Sequence, residues 1–250
     1  MSELAQATLL GLLYWVPWTR AGYTFSHIFR QPISLAAIIG VIVGDLPAAV
    51  MIGATMQLMY LVLIPAGSNI PADEGLSACV AIPIAVKLGL SPALALMLAI
   101  PIGMMGLYLD KVRRTKNVIF AEWADKYAAA GDDKGIFRCA TLYPMLLQLP
   151  LRVIPVFVAV LFGSDVVMLI LKNTPVWLLH GLEITGICLP AVGFALTINV
   201  IGRRNLLPYF VIGFLLIKFF SISIAVALFV GIGAAVIHTN HQFGKGGDAA

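Results

Sequence analysis

Apolar residues fall along this chain in six blocks, at positions 4–18, 33–64, 76–109, 140–171, 177–201 and 207–238. A helix rises about 1.5 Å per residue and a bilayer's hydrocarbon core is roughly 30 Å thick. The first block is therefore short for a full crossing, and the second and third are too long for one straight helix. Both long blocks carry their own punctuation. Gly44-Asp45-Leu46-Pro47 divides the second, and Lys87-Leu-Gly-Leu-Ser-Pro92 divides the third, with Ser91 placed to cap the helix that follows. Pro32 suits the first turn of a helix, while Pro83 and Pro101 predict kinks. Gly40 and Gly44 form a G-x-x-x-G pair that permits close helix contact. The block at 207–238 is over-long and contains Lys218, which predicts a bent span or a hairpin.

Composition sets the solvent for these elements. The chain is 60% hydrophobic and 11% charged, against roughly a quarter charged in soluble domains. It reads as an all-α, polytopic integral membrane protein with broken or re-entrant helices, in contact with lipid. One transmembrane domain is expected over 1–238, with a polar, flexible tail over 239–250. The net charge of +4 calls for no nucleic acid, because cytoplasmic loops of membrane proteins collect Lys and Arg. Seven basic residues fall between Lys111 and Arg138, so this segment is expected to be a cytoplasmic loop with a short helix near Glu122–Tyr127 and a turn at Gly131. Arg203-Arg204 is expected on the same side. The loop can be read as a topological anchor or as a docking surface. No basic n-region marks a signal peptide. Cys79, Cys139 and Cys188 show no metal spacing, and no nucleotide-binding loop is present, so no cofactor is expected.

Between the second and third blocks lies Ile64-Pro-Ala-Gly-Ser-Asn-Ile-Pro-Ala-Asp-Glu-Gly-Leu76. Two prolines and two glycines exclude one regular helix. Broken backbone at membrane depth is tolerated only where protein covers it or a wet cavity touches it, and intramembrane carboxylates are functional candidates. Ser68, Asn69, Asp73 and Glu74 thus line a candidate substrate site; the plain alternative is a polar turn in contact with water. Gln57 needs a partner inside its apolar run, either a neighbouring helix or a ligand. A second candidate interruption runs from Trp177 to Gly193 and places His180 and Glu183 on one helical face. Amides, carboxylates, histidine and arginine suit neutral, hydroxyl-rich ligands.

Arg30-x-Pro32, Val43-Gly-Asp45, Gly53-Ala-Thr-Met-Gln57, the Pro65…Asp73 stretch and Leu189-Pro-Ala-Val-Gly-Phe-Ala195, in that order and spacing, resemble the enzyme IIC component of the mannose/fructose/sorbose family of the bacterial sugar phosphotransferase system, which includes carriers of N-acetylgalactosamine. The resemblance covers about Leu4 to Ile237. It implies a multi-pass subunit of the bacterial cytoplasmic (inner) membrane that passes a hexose or amino sugar inward as it is phosphorylated. It also implies a IID membrane partner, cytoplasmic IIA and IIB phosphocarriers, with the phosphohistidine on IIB and not on this chain, and a homo-oligomer of the IIC–IID pair. Asp73 or Glu74 would then be the catalytic base, and Gln57, Asn69, His27 and Ser68 would bind sugar hydroxyls. Arg30 would orient a carboxylate. Gln57 stands where relatives often carry an acid, which leaves the sugar open. The rival readings are a secondary transporter or channel that leaves its solute unmodified, and a non-transporting membrane scaffold.

Overall fold

Most helix boundaries follow from local chemistry. Side chains cap five helices in a computed structural model that describes residues 2–19, 26, 28–61, 72–203 and 206–244. Ser2 opens α1 (Glu3–Trp15), Asp45 opens α3 (Leu46–Tyr60), Asp73 opens α4 (Glu74–Leu88), Ser91 opens α5 (Pro92–Ala129) and Asp132 opens α6 (Asp133–Phe137), each accepting a backbone N–H of the first turn. Pro32 starts α2 (Pro32–Val43). Gly44 and Gly89 end α2 and α4 with φ of 94° and 63°, a left-handed conformation that glycine adopts without a Cβ penalty. A π turn over Arg138–Leu142 leads into α7 (Tyr143–Asn173), and α8 (Val176–Ile201), α9 (Leu207–Phe220) and α10 (Ile224–Gly244) follow. No strand occurs among the described residues.

Three elements, Pro92–Ala129, Asp133–Asn173 and Val176–Val200, are long and apolar enough to cross a membrane. At about 1.5 Å per residue, α2, α3 and α4 reach only roughly 18–22 Å, short of a full crossing. The protein is an all-α, multi-pass membrane protein with broken helices. Large apolar side chains stand exposed along α7 and α8, among them Phe162, Leu169 and Ile187, as a lipid-facing surface requires.

The chain divides into two compact units, one through Leu196 and one from Thr197. In the first unit α4 is the central helix. Every residue from Gly75 to Ala85 is buried, as expected of a helix that is apolar all round. It packs against α1, α2, α3, α5 and α7. In the second unit α9 and α10 form a hairpin about Ser221, so the over-long last block resolves as two helices. Tyr209 Oη lies 3.0 Å from His238 Nδ1 across it. The last helix continues to Gly244, into residues expected to form the tail.

Three expectations are corrected. The basic segment is not a loop: α5 runs unbroken to Ala129. Its charged half is rich in Ala, Glu, Lys and Arg, which sustain a helix without a core. Phe120, Trp123 and Tyr143 hold this extension against the start of α7, with ring centroids 5.8–6.0 Å apart. The turn at Gly131 is as expected. Residues 177–193 are likewise unbroken helix. Two of their three glycines serve close packing: a Cβ on Gly186 would lie 2.3 Å from the carbonyl oxygen of Ala93, and one on Gly193 2.3 Å from that of Leu58. Lastly, Gly40 does pack closely on α3, but Gly44 forms the turn, where a Cβ would meet nothing within 4 Å.

Candidate functional site

Asp73 enters the core because capping α4 fixes it where four helices meet. Its residue is 3% exposed. Oδ1 accepts the Leu76 N–H at 2.9 Å and Oδ2 accepts the Tyr14 hydroxyl at 2.7 Å. Its backbone N–H donates to the Gly103 carbonyl at 3.0 Å. One turn along α4, the Ser77 hydroxyl lies 2.9 Å from the carbonyls of Asp73 and Ala99 and 3.0 Å from Tyr60 Oη. These bonds join α1, α3, α4 and α5 around one carboxylate.

The counter-charge comes from α7. Arg152 is 1% exposed. It donates through Nη1 to Tyr14 Oη, and the same nitrogen lies 3.5 Å from Asp73 Oδ2. Tyr14 therefore donates to the acid and accepts from the base, bridging two charges that water does not reach. The Arg152 guanidinium also lies 3.5 Å from the Trp18 ring centroid, with that of Arg30 at 3.8 Å and that of Arg113 at 5.4 Å. Cations over an indole face are stabilised by its quadrupole, more so where solvent is excluded. Arg113 and Arg114 in turn hold Asp110, with shortest N–O distances of 2.6 Å to each. One end of the first unit is thus a connected set of charges and aromatic rings, buried at Asp73, Tyr14, Arg152 and Asp110 and part-exposed at Arg30 and Arg113, and the basic extension of α5 continues from it.

Glu74 follows Asp73 and is half-buried. Among the described residues its carboxylate makes no hydrogen bond or ion pair, unlike that of Asp73. Arg30 joins the cluster through Trp18, and its charge also acts on the Glu74 carboxylate. Gln57 is tied to the start of α2: its amide nitrogen donates to Gln31 Oε1 and its oxygen accepts the Ile33 N–H at 3.4 Å. A neighbouring helix therefore supplies its partners. His27, Ser68 and Asn69 lie outside the described residues.

Sequence reasoning missed Tyr14, Trp18, Gln148 and Arg152. The signal for Arg152 was present, since a charge inside an apolar block is costly and calls for a partner. Gln148 is one helical turn away on the same face of α7. Gln148 Oε1 and Arg152 Nε are both buried without a hydrogen-bond partner among the described residues. An acceptor and a donor thus stand available beside the Asp73 cluster, in the pairing that a hydroxyl can satisfy.

Space at this site is set by α5. A Cβ on Gly106 would come within 2.3 Å of Asp73 Cβ, closer than atoms approach without displacing one another. Gly106→Ala is expected to push α5 off α4 and to lower stability by about 1–3 kcal/mol, the usual cost of overpacking. Thermal unfolding of the detergent-solubilised protein measures this; an unchanged midpoint would show that the helices are not in contact there.

Residues 4–237 match the family described as the PTS system sorbose-specific IIC component. The sorbose-specific EIIC component of Klebsiella pneumoniae is 31% identical over 88% of this chain and 84% of its own length. N-acetylgalactosamine permease IIC component 1 of Escherichia coli is 27% identical over 94% and 85%, and the fructose permease IIC component of Bacillus subtilis is 29% identical over 82% and 74%. A solved chain from the complex of the mannose transporter ManYZ with microcin E492 aligns over 97% of this chain and 96% of its own, with a TM-score of 0.58 and 27% identity. Another solved membrane protein aligns over 94% and 95% with a TM-score of 0.81 at 24% identity, a likeness of fold. With a family match that spans nearly its whole length, this chain belongs to the sorbose-type IIC components, the sugar-translocating membrane subunits of the bacterial phosphotransferase system.

Proposed function

We propose that this subunit presents a sugar hydroxyl to a phosphohistidine borne by a cytoplasmic IIB protein, with Glu74 accepting the hydroxyl proton. In that step the sugar oxygen bonds to phosphorus as the phosphorus–nitrogen bond breaks, the imidazole leaves neutral, and the proton resides on the carboxylate. Phosphoryl transfer of this kind asks the protein chiefly for positioning. The observation that carries the assignment is the contrast between adjacent carboxylates. Both oxygens of Asp73 are committed to Leu76, Tyr14 and Arg152, whereas the Glu74 carboxylate makes no hydrogen bond or ion pair among the described residues and has only the charge of Arg30 nearby. Asp73 then holds the frame, and Gln148 and Arg152 offer an acceptor and a donor to the sugar. Ser68, Asn69, His27, Gln57 and Arg30 are the further candidates for orienting it.

The same proposal places the basic end of the first unit in the cytoplasm of the bacterial inner membrane, by the excess of Lys and Arg there. Lys111, Lys116, Lys134 and Arg138 are exposed on it and would steer an acidic or phosphorylated partner, more strongly at low salt. Arg113 and Arg114 instead neutralise Asp110. A IID membrane subunit completes the permease, as supported by the likeness to the ManYZ transporter, and IIA recharges IIB.

The test is phosphoenolpyruvate-dependent phosphorylation by vesicles that contain this chain, its IID partner and soluble IIA and IIB. The sugars are fructose, sorbose, mannose and N-acetylgalactosamine. Sugar phosphate is expected for at least one of them, and none when either IID or IIB is omitted. Full activity from the isolated chain with a phosphorylated donor would overturn the composite site.

A further inference from the structure

A polar cavity lies at the far end of α4. It has a volume of about 450 Å³ and is lined by Glu3, Gln6, Asp45, Lys87 and Ser164 among apolar side chains, within the range of roughly 300–1,000 Å³ common for small-ligand sites. Its wall includes Pro83 to Lys87, ten to fourteen residues beyond Asp73 on a helix that rises about 1.5 Å per residue. The cavity is thus separated from the Asp73 cluster by roughly 15–20 Å along the helix axis. It is bounded by the start of α1, the α2–α3 turn, the end of α4 and the middle of α7.

Its polar groups are not used up by the fold. Asp45 Oδ1 caps α3, which leaves Oδ2 as an acceptor. Lys87 Nζ donates to Glu3 Oε1 at 2.7 Å, which leaves Glu3 Oε2 and the other ammonium protons. Gln6 donates its amide to the Ile42 carbonyl, which leaves its oxygen. Ser164 is the independent sign of a ligand. It is 2% exposed, and its hydroxyl has no hydrogen-bond partner among the described residues. A buried serine on a helix ordinarily satisfies itself on a backbone carbonyl or another side chain. Here Ser164 lines the cavity.

We propose that this cavity is an entry subsite for the unphosphorylated sugar, on the face away from the phosphoryl donor. The inference rests on the reading above, in which the chain carries sugar and its basic end is cytoplasmic. Carboxylate and amide oxygens accept sugar hydroxyls, Ser164 and Lys87 donate to ring or hydroxyl oxygens, and Leu10, Ile84 and Val160 face the sugar's C–H surface. Two carboxylates against one ammonium repel a phosphate dianion, so the subsite takes free sugar and rejects the phosphorylated product. That asymmetry favours inward delivery.

Ser164→Ala separates the proposal from a structural role. Removing an unpaired buried hydroxyl is neutral or stabilising for the fold, so any loss of function reports on the ligand. The experiment uses the IIC–IID complex with IIA and IIB in right-side-out vesicles and the four sugars already named. For a sugar that the wild type carries, Ser164→Ala is expected to raise the KM for external sugar several-fold. The maximal rate and the thermal midpoint stay at or above wild type. In a Cys188→Ser background, a cysteine at Gln6 is expected to react with an external, membrane-impermeant thiol reagent, with protection by that sugar but not by its phosphate. An unchanged KM with no protection overturns the subsite while leaving transport intact. Vesicles in which the wild type carries none of the four sugars overturn the transport reading and the subsite with it.

Discussion

Arg152→Leu is expected to destabilise this protein by about 3–5 kcal/mol, the usual consequence of removing one partner from a buried charge pair. The substitution leaves Asp73 in the core with only Tyr14 and a backbone N–H to answer its charge, and removes a guanidinium from the Trp18 ring. Arg152→Lys keeps the charge but loses the planar group that reaches Tyr14 while stacking on Trp18, so an intermediate loss is expected. Asp73→Asn combined with Arg152→Leu removes both charges and should recover part of the single-mutant loss, because the two residues are coupled. Thermal unfolding of the solubilised protein checks all three. A double variant no more stable than the additive sum would show that the pair does not interact, whatever their separation.

Glu74→Gln is expected to lower the rate of sugar phosphate formation by about 10²–10⁴-fold, the span attributed to a positioned general base. Volume and hydrogen-bonding reach are nearly conserved, and nothing in the described core depends on this carboxylate. Insertion, complex formation and thermal midpoint should therefore match wild type. Asp73→Asn should behave in the opposite way. It weakens a cap, the Tyr14 bridge and the Arg152 pair together, so its loss of activity should come with a loss of stability. The measurement is the initial rate with phosphorylated IIB at saturating sugar, alongside the unfolding midpoint. Wild-type turnover by Glu74→Gln would move the base to another residue, whereas equal destabilisation by both changes would make Glu74 a second structural acid.

Much of the fold was legible because membrane helices write their limits locally. Ser91 caps through its own side chain, Pro32 opens a first turn, and the segments at Gly44–Pro47, Lys87–Pro92 and Gly131 break the helices where they were expected to. Each act involves residues within a few positions of one another, so composition and spacing were enough. The same local rule misled at two places. Charge between Lys111 and Arg138 looked like a loop, yet a helix needs no apolar face to persist when strong helix formers fill it and three aromatic rings pin its end. Glycine and proline between Trp177 and Gly193 looked like a break, yet α8 stays whole, and Gly186 and Gly193 meet the backbone of other helices.

What the sequence by itself determined was a multi-pass helical membrane protein with half-length helices, a family, and an intramembrane carboxylate pair worth attention. It did not separate the roles of the two carboxylates. That was decided by residues 59 and 138 positions apart in the chain, Tyr14 with Asp73 and Tyr14 with Arg152. In a low-dielectric interior a charge must find its partner wherever packing brings one, and packing obeys the shapes of whole helices and not the spacing of neighbours. The unpaired hydroxyl of Ser164 is invisible in the sequence for the same reason. An unmet hydrogen bond is a property of everything around the group, which only the assembled bundle defines.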